Sequence, residues 1–399
     1  MERVLLAQTK WPTWGKWCLL LSLSIVGSVI FFRWAKGNRV GSNDFSAYWS
    51  ASRLFLEGRN PYDQENLSEM QLVHLGSNKD GILMVWNPPT VWIFLLPVSW
   101  MPFETARVVW LLINIVLVLV SCFILRQIYF PMRTPIVLLV YCLTVVTFAP
   151  VLIAIIIGQI TFLVLFGLTT SLFFIKHERW FWAGAMLIFI TPKPHLVMLA
   201  APYLMLYMAV HRKWRGWLGL GVAGVACVVI LFALRPAWIA DFSLILKNPP
   251  VRWLTPTLGG VLKSHNIGAW GQYFGLAFLL LLPRFLRQPE ILPVESVVSL
   301  LTLITVPSTF FGWSFDQSIL LIPMAEIIYW LSDPLCSNKM RWGLSLGIAI
   351  VLLANLVQHM VAKNEVDYFW VSIAWGGIYA LAWWEMNRRR QASFENFSE

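Results

Sequence analysis

Asp44 is the residue best placed for chemistry. It stands near the start of Ser42-Asn-Asp-Phe-Ser-Ala-Tyr-Trp-Ser-Ala-Ser-Arg-Leu-Phe-Leu-Glu-Gly58. That stretch is predicted to be a short helix, capped at its start and stopped by Gly58 and Pro61. A carboxylate there can serve as a general base, taking the proton from a hydroxyl as it attacks a sugar anomeric carbon, an effect worth about 10²–10⁴ in rate. The same position suits a helix N-cap, because Asp is among the best capping residues. Ser42 and Asn43 compete for that role and leave Asp44 partly free.

The other candidates are scattered along the chain. Lys193 and His195 sit beside Pro192 and Pro194 between two apolar stretches. An ionisable group at membrane depth marks a functional site, and a fixed ammonium suits a leaving phosphate. The plain alternative is a lysine snorkelling from a helical hairpin. Arg252, Lys263 and His265 in the segment 236–267 can form a cradle for a phosphate, or simply an ordinary outward loop. Asp316 lies in Ser314-x-x-Gln317, a capping-box pattern that suffices to explain an acidic first turn. Gln159 follows Gly158 at the start of an apolar stretch, and Asn87 precedes the pair Pro88-Pro89, a rigid helix start.

The elements that must hold these residues are apolar. Of 399 residues, 58% are hydrophobic and 13% charged, whereas soluble domains are nearer half apolar and a quarter charged. Apolar stretches of bilayer-crossing length recur at roughly 17–34, 104–126, 134–156, 160–176, 180–192, 195–210, 217–235, 268–284, 291–311, 316–331, 342–361 and 368–385. The expectation is an all-α bundle of about twelve membrane spans forming one domain over 1–399. A short interfacial helix lies in the first outer loop, with Phe45, Tyr48, Trp49, Phe55 and Leu56 at headgroup depth. The segment 88–103, broken by Pro97 and Pro102, is expected to dip in without crossing; if it crossed, every later loop would reverse.

The net charge of +10 comes from short basic clusters between apolar stretches, such as Lys176 with Arg179, His211 to Arg215, Lys339 with Arg341, and Arg388 to Arg390. Such clusters read as topology signals and not as a nucleic-acid surface. With all of them inside, loops 35–87 and 236–267 face outward and the tail 386–399 faces the cytoplasm. The first apolar run follows basic residues but has no small-residue cleavage site, and is expected to stay as an anchor. Five scattered cysteines, Cys18, Cys122, Cys142, Cys227 and Cys336, show no metal or disulfide spacing. There is no Gly-rich nucleotide loop, HExxH or GxSxG, which argues against an enzyme fed by cytosolic nucleotide sugars.

Several pieces resemble a known family when taken in order. They are Asp44-Phe-x-x-Tyr48, then Ala51 and Gly58-x-x-Pro-Tyr-Asp63; Asn87-Pro-Pro leading to Leu96-Pro97 and Met101-Pro-Phe-x-x-Ala106 with Trp110; Gly158-Gln159; and Lys193-Pro194. The chain resembles the bacterial multi-spanning glycosyltransferases of the GT-C superfamily that include the polyprenol-phosphate-mannose-dependent mannosyltransferases, glycosyltransferase family 87. The resemblance implies a GT-C fold in the plasma membrane, an extracytoplasmic active site and Asp44 as the catalytic aspartate. It implies a polyprenyl-phosphate sugar donor, most often of mannose, a glycolipid or glycan acceptor, inversion at the anomeric carbon, and no metal or other cofactor. Tyr48, Asn87, Gln159, Lys193, His195, Arg252, Lys263 and His265 would then contact substrate, with Lys193 and the loop cations neutralising the phosphate. The alternative is a lipid-linked sugar flippase or secondary transporter. Such proteins place their polar sites near the bilayer midplane, often in paired halves.

Overall fold

The computed structural model describes residues 43–75, 81–130, 135–247, 253–287, 292–362 and 364–398. The predicted first span at 17–34 and the loop residue Arg252 lie outside the described residues. Among the described residues every regular element is helical, with 17 α-helices joined by five 3₁₀ segments.

Length divides these helices into two kinds. Phe103–Tyr129, Trp214–Leu234 and Asn338–Val361 are long and apolar enough to cross a membrane. Val137–Thr147 and Ala149–Ile157 add a fourth crossing if they are taken as one span bent by 52°. The bend has a local cause: Pro150, in the first turn of the second piece, has no N–H to carry the helical hydrogen-bond ladder across Phe148. Most other predicted spans are shorter or broken. Thr161–Lys176 has 16 residues, which rise about 24 Å against a hydrocarbon layer of about 30 Å. The predicted span 180–192 becomes Trp180–Met186 followed by the 3₁₀ turn Leu187–Ile190. Among the described residues, three of the predicted spans thus qualify by length and composition, or four with the bent pair. The segment Thr90–Ser99 is a ten-residue helix containing Pro97, about 15 Å long and half the hydrocarbon thickness.

The predicted helix after Ser42 is present as Asn43–Leu56, and its aromatic face is covered by protein. Phe45, Tyr48, Trp49 and Phe55 are buried inside the protein, against Trp92, Phe103 and Trp110. Phe45 stacks on Trp110 at 5.8 Å and Trp49 meets Phe103 edge-on at 5.5 Å. Helical spacing of aromatics says which face is apolar, not whether lipid or protein covers it. Here it is protein, and each fully buried ring contributes about 1.5–3 kcal/mol. This small core is separate from the larger one that fills the bundle. Arg235 closes it from the far side, paired with Asp241 and donating to the Gly58 carbonyl.

Thr161–Lys176 is the axis of the larger core, buried along nearly its whole length. It packs on Phe103–Tyr129, on Trp180–Met186 with its 3₁₀ extension, and on the 3₁₀ turn Ser314–Leu320. Trp180–Met186 is clasped in turn by Trp214–Leu234. A Cβ on Gly184 would sit 1.8 Å from the Gly216 carbonyl oxygen, so only glycine allows the two backbones this close. That clasp fixes the height at which the following turn delivers Lys193.

Candidate active site

Four segments distant in sequence meet at one end of the bundle. Asn43–Leu56 brings Asp44 and Tyr48, the start of Thr161–Lys176 brings Gln159 and Thr161, the turn after Ile190 brings Lys193, and Ser314–Leu320 brings Asp316. Gly158 makes the second of these possible. Its φ of 76° caps Ala149–Ile157 in the left-handed region, where a side chain is strained, and the reversal turns Gln159 inward. The Trp110 indole N–H holds this turn by donating to the Gly158 carbonyl at 3.0 Å.

Lys193 is the hub. It is buried, and its Nζ donates to Asp316 Oδ1 at 2.7 Å, Gln159 Oε1 at 2.8 Å and Thr161 Oγ1 at 3.1 Å. An ammonium has three N–H bonds, and all three are used. The arrangement therefore differs from the predicted one, in which Lys193 neutralises a phosphate: no N–H remains for that contact. Its effect reaches the first helix through Gln159. The ammonium requires the amide oxygen, so the amide nitrogen faces the other way and donates to Asp44 Oδ2. Tyr48 adds its hydroxyl to the same amide oxygen at 3.2 Å.

Asp44 is therefore held by Gln159 through its carboxylate. Burial raises its pKa above the ordinary carboxylate value, partly offset by the Lys193 ammonium and the Gln159 hydrogen bond, while Asp316 adds a smaller upward push. Such a group is a stronger base than a solvated carboxylate.

Asp316 does more than the capping that the sequence suggests. Its Oδ2 accepts from the Trp313 backbone N–H at 3.0 Å, as a cap, while Oδ1 takes Lys193 and the Thr161 hydroxyl, the latter at 2.5 Å. The cap is centred on Trp313 and not on the predicted Ser314. Ser314 is held instead by Glu365, which accepts from its N–H at 2.9 Å and its hydroxyl at 3.2 Å. Burial raises the pKa of Glu365 despite those bonds, and both Asp316 and Asp44 lie near enough to push it further. Thr161 and Glu365 are the members of this network that sequence reasoning missed. Thr161 opens the helix after Gly158-Gln159, and Glu365 lies between the predicted spans 342–361 and 368–385, so position hinted at both. Neither residue type singles itself out.

The remaining candidates lie around this network. Asn87 donates to the Pro192 carbonyl at 3.0 Å and its own carbonyl accepts from Tyr62 at 2.7 Å, so it braces the Lys193 turn. His195 is fixed through its backbone carbonyl by Thr309 at 2.8 Å. Lys263 reaches the Trp253 carbonyl at 3.4 Å, and exposed His265 bonds to its own helix at the Val261 carbonyl. Neither has a contact with the Asp44 network. Their loop joins the site through Trp253, whose ring meets Trp86 at 5.0 Å and Trp313 at 5.2 Å. This aromatic wall runs on to Phe315, over which Lys193 lies at 4.9 Å. Among the described residues no three His, Cys, Asp or Glu side chains come together as a metal site.

The model of glycosyltransferase family 87 matches residues 86–317, more than half of the chain. The match takes in Asn87, Gln159, Thr161, Lys193 and Asp316 and begins after Asp44. Among curated proteins and solved structures, none matches the chain.

Proposed function

Since the chain belongs to glycosyltransferase family 87 and is a membrane glycosyltransferase, we propose that it transfers a sugar, mannose first among the candidates, from a polyprenyl monophosphate to a hydroxyl of a glycolipid or glycan. The observation that carries this reading is the Asp44 carboxylate, aimed by Gln159 and kept partly desolvated at the meeting point of four segments.

The acceptor oxygen attacks the anomeric carbon from the face opposite the phosphate, and its proton passes to Asp44. The bond from that carbon to the phosphate oxygen breaks, the electron pair leaves with the polyprenyl phosphate, and the configuration inverts. Lys193 acts as a positioning residue that sets the Gln159 amide. The wall of Trp86, Trp253 and Trp313 offers flat apolar faces to sugar rings. The short and broken helices complete a twelve-span topology in the bacterial plasma membrane. In it, Asn43–Leu56, the Lys193 turn and Ser314–Leu320 face outward, and the basic clusters lie inside.

Membranes containing the intact protein, supplied with labelled polyprenyl-phosphate sugars and native lipid acceptors, test this directly. Wild type should move label into a new product, and Asp44→Asn at matched protein level should lose about a hundredfold or more of that rate. If Asp44→Asn transfers as well as wild type, the general-base assignment is wrong. If no donor is consumed, the donor class is wrong.

A further inference from the structure

A second polar centre lies at the other end of the bundle, where the transfer chemistry has no use for it. Lys176 ends the same helix that Thr161 begins, so the two centres are separated by roughly 20 Å along that axis. There a cavity of about 480 Å³ opens between Thr161–Lys176, Val294–Ser308, Leu321–Leu331 and the Phe369–Ser398 helix.

Its floor is acidic. Glu326 lines it and is 2% exposed, accepting from the Ser296 hydroxyl and from Tyr379 at 3.0 Å. Glu295 lies beside it, 3.4 Å from the Lys176 ammonium, which also donates to the Ile128 carbonyl at 2.6 Å. Aromatic rings, Trp330 and Trp383 among them, form the walls, and Arg390 joins Lys176 among the lining cations. A carboxylate sunk in an apolar bundle is costly and marks a site by default. Carboxylates together with aromatic faces suit a compact organic cation. Basic side chains in a pocket between membrane helices suit a lipid phosphate. Both charges in one cavity call for a ligand that carries both.

We propose that this cavity binds an aminoalkyl phosphate, the headgroup of an aminophospholipid, with its ammonium towards Glu326 and Glu295 and its phosphate towards Lys176 and Arg390. The acyl chains would lie outside, along the exposed face that carries Trp383.

The test uses the full-length protein purified in detergent, with bound lipid counted by mass spectrometry after exchange against phosphatidylethanolamine or phosphatidylglycerol of identical chains. Wild type should retain the ethanolamine lipid at least tenfold better. Glu326→Gln should bring the two lipids to within about twofold. Because Glu326 is buried, Arg390→Gln at the exposed rim provides a second variant, expected to weaken retention several-fold. Free O-phosphoethanolamine distinguishes the source: if it binds in a Glu326-dependent way while neither lipid is preferred, the occupant is a soluble molecule with the same chemistry. No preference in wild type together with no binding of the free headgroup overturns the proposal, as does a preference that both variants keep. Asp44→Asn should bind lipid as wild type does, which separates this result from the transfer reaction.

Discussion

Asp44 is a carboxylate that the fold keeps at a cost. Burial lifts its pKa above that of the unfolded chain, so between those two values the folded state holds the proton more tightly. Stability then falls as pH rises through that window, and the full cost is present above the folded-state value. Asp44→Asn removes the ionised form. It is expected to melt at or above the wild-type temperature at pH 7 while transfer collapses, the trade expected of a strained catalytic group and not of a helix cap. A variant that melts well below wild type would make Asp44 structural. The pH profile gives an independent check. The base must be ionised, so kcat/KM should fall as pH drops through the raised Asp44 value. Gln159→Leu deletes a hydrogen bond that favours the ionised form and should move that acid limb to higher pH. An unmoved limb would mean that Gln159 does not act through Asp44. The sequence made Asp44 and Lys193 visible as types in suspicious places. It did not show that Lys193 and Asp316 pair across 123 positions, because a local cap already accounted for Asp316.

At the scale of elements, the site depends on breaks in helices. A continuous helix through 149–176 would carry Gln159 around with its neighbours; the left-handed Gly158 turn points it inward instead. Gly158→Ala forces a Cβ into that conformation, costing about 1–2 kcal/mol, and misaims the amide. Gly58 supplies the control, since its φ of 72° carries the same strain with no atom within 4 Å of an added Cβ. Both variants should lose similar stability in a thermal melt, but only Gly158→Ala should lose transfer, by about tenfold or more, which corresponds to about 1.4 kcal/mol in the barrier. Equal activity losses would show that the turn serves folding alone. These breaks also explain why few of the described helices are long and apolar enough to cross a membrane unbroken. Hydropathy adds up apolar residues whether or not a helix runs unbroken through them, and nothing in 180–192 announces that Trp180–Met186 stops for a 3₁₀ turn. The buried face of Asn43–Leu56 was hidden in a similar way, because the partners Phe103 and Trp110 lie on another helix.

The whole molecule separates its polar residues into two ends. Asp44, Gln159, Lys193, Asp316 and Glu365 meet at one. At the other, basic clusters that the sequence shows only as isolated punctuation come together. Lys176 and Arg390 line one cavity, Arg388 and Arg389 pair with Glu385, and Glu385 also accepts from the Ser337 N–H beside Lys339 and Arg341. Lys213 lies 4.7 Å over Trp180, next to Arg179, which brings the His211 to Arg215 cluster to the same end. Charge bias along a sequence is a statistical guide to sidedness. Four clusters gathered at one end of one folded body must share a side, whatever the number of spans. That makes sidedness testable with few probes. In a cysteine-free background in intact cells, a membrane-impermeant maleimide should label Glu57→Cys and Asn364→Cys, near the Asp44 end. It should reach Arg212→Cys and Lys339→Cys only after the membrane is opened. The reverse pattern would put Asp44 in the cytoplasm, where a lipid-phosphate donor facing outward could not reach it. A mixed pattern within either pair would mean that the two ends are not on opposite faces of the membrane.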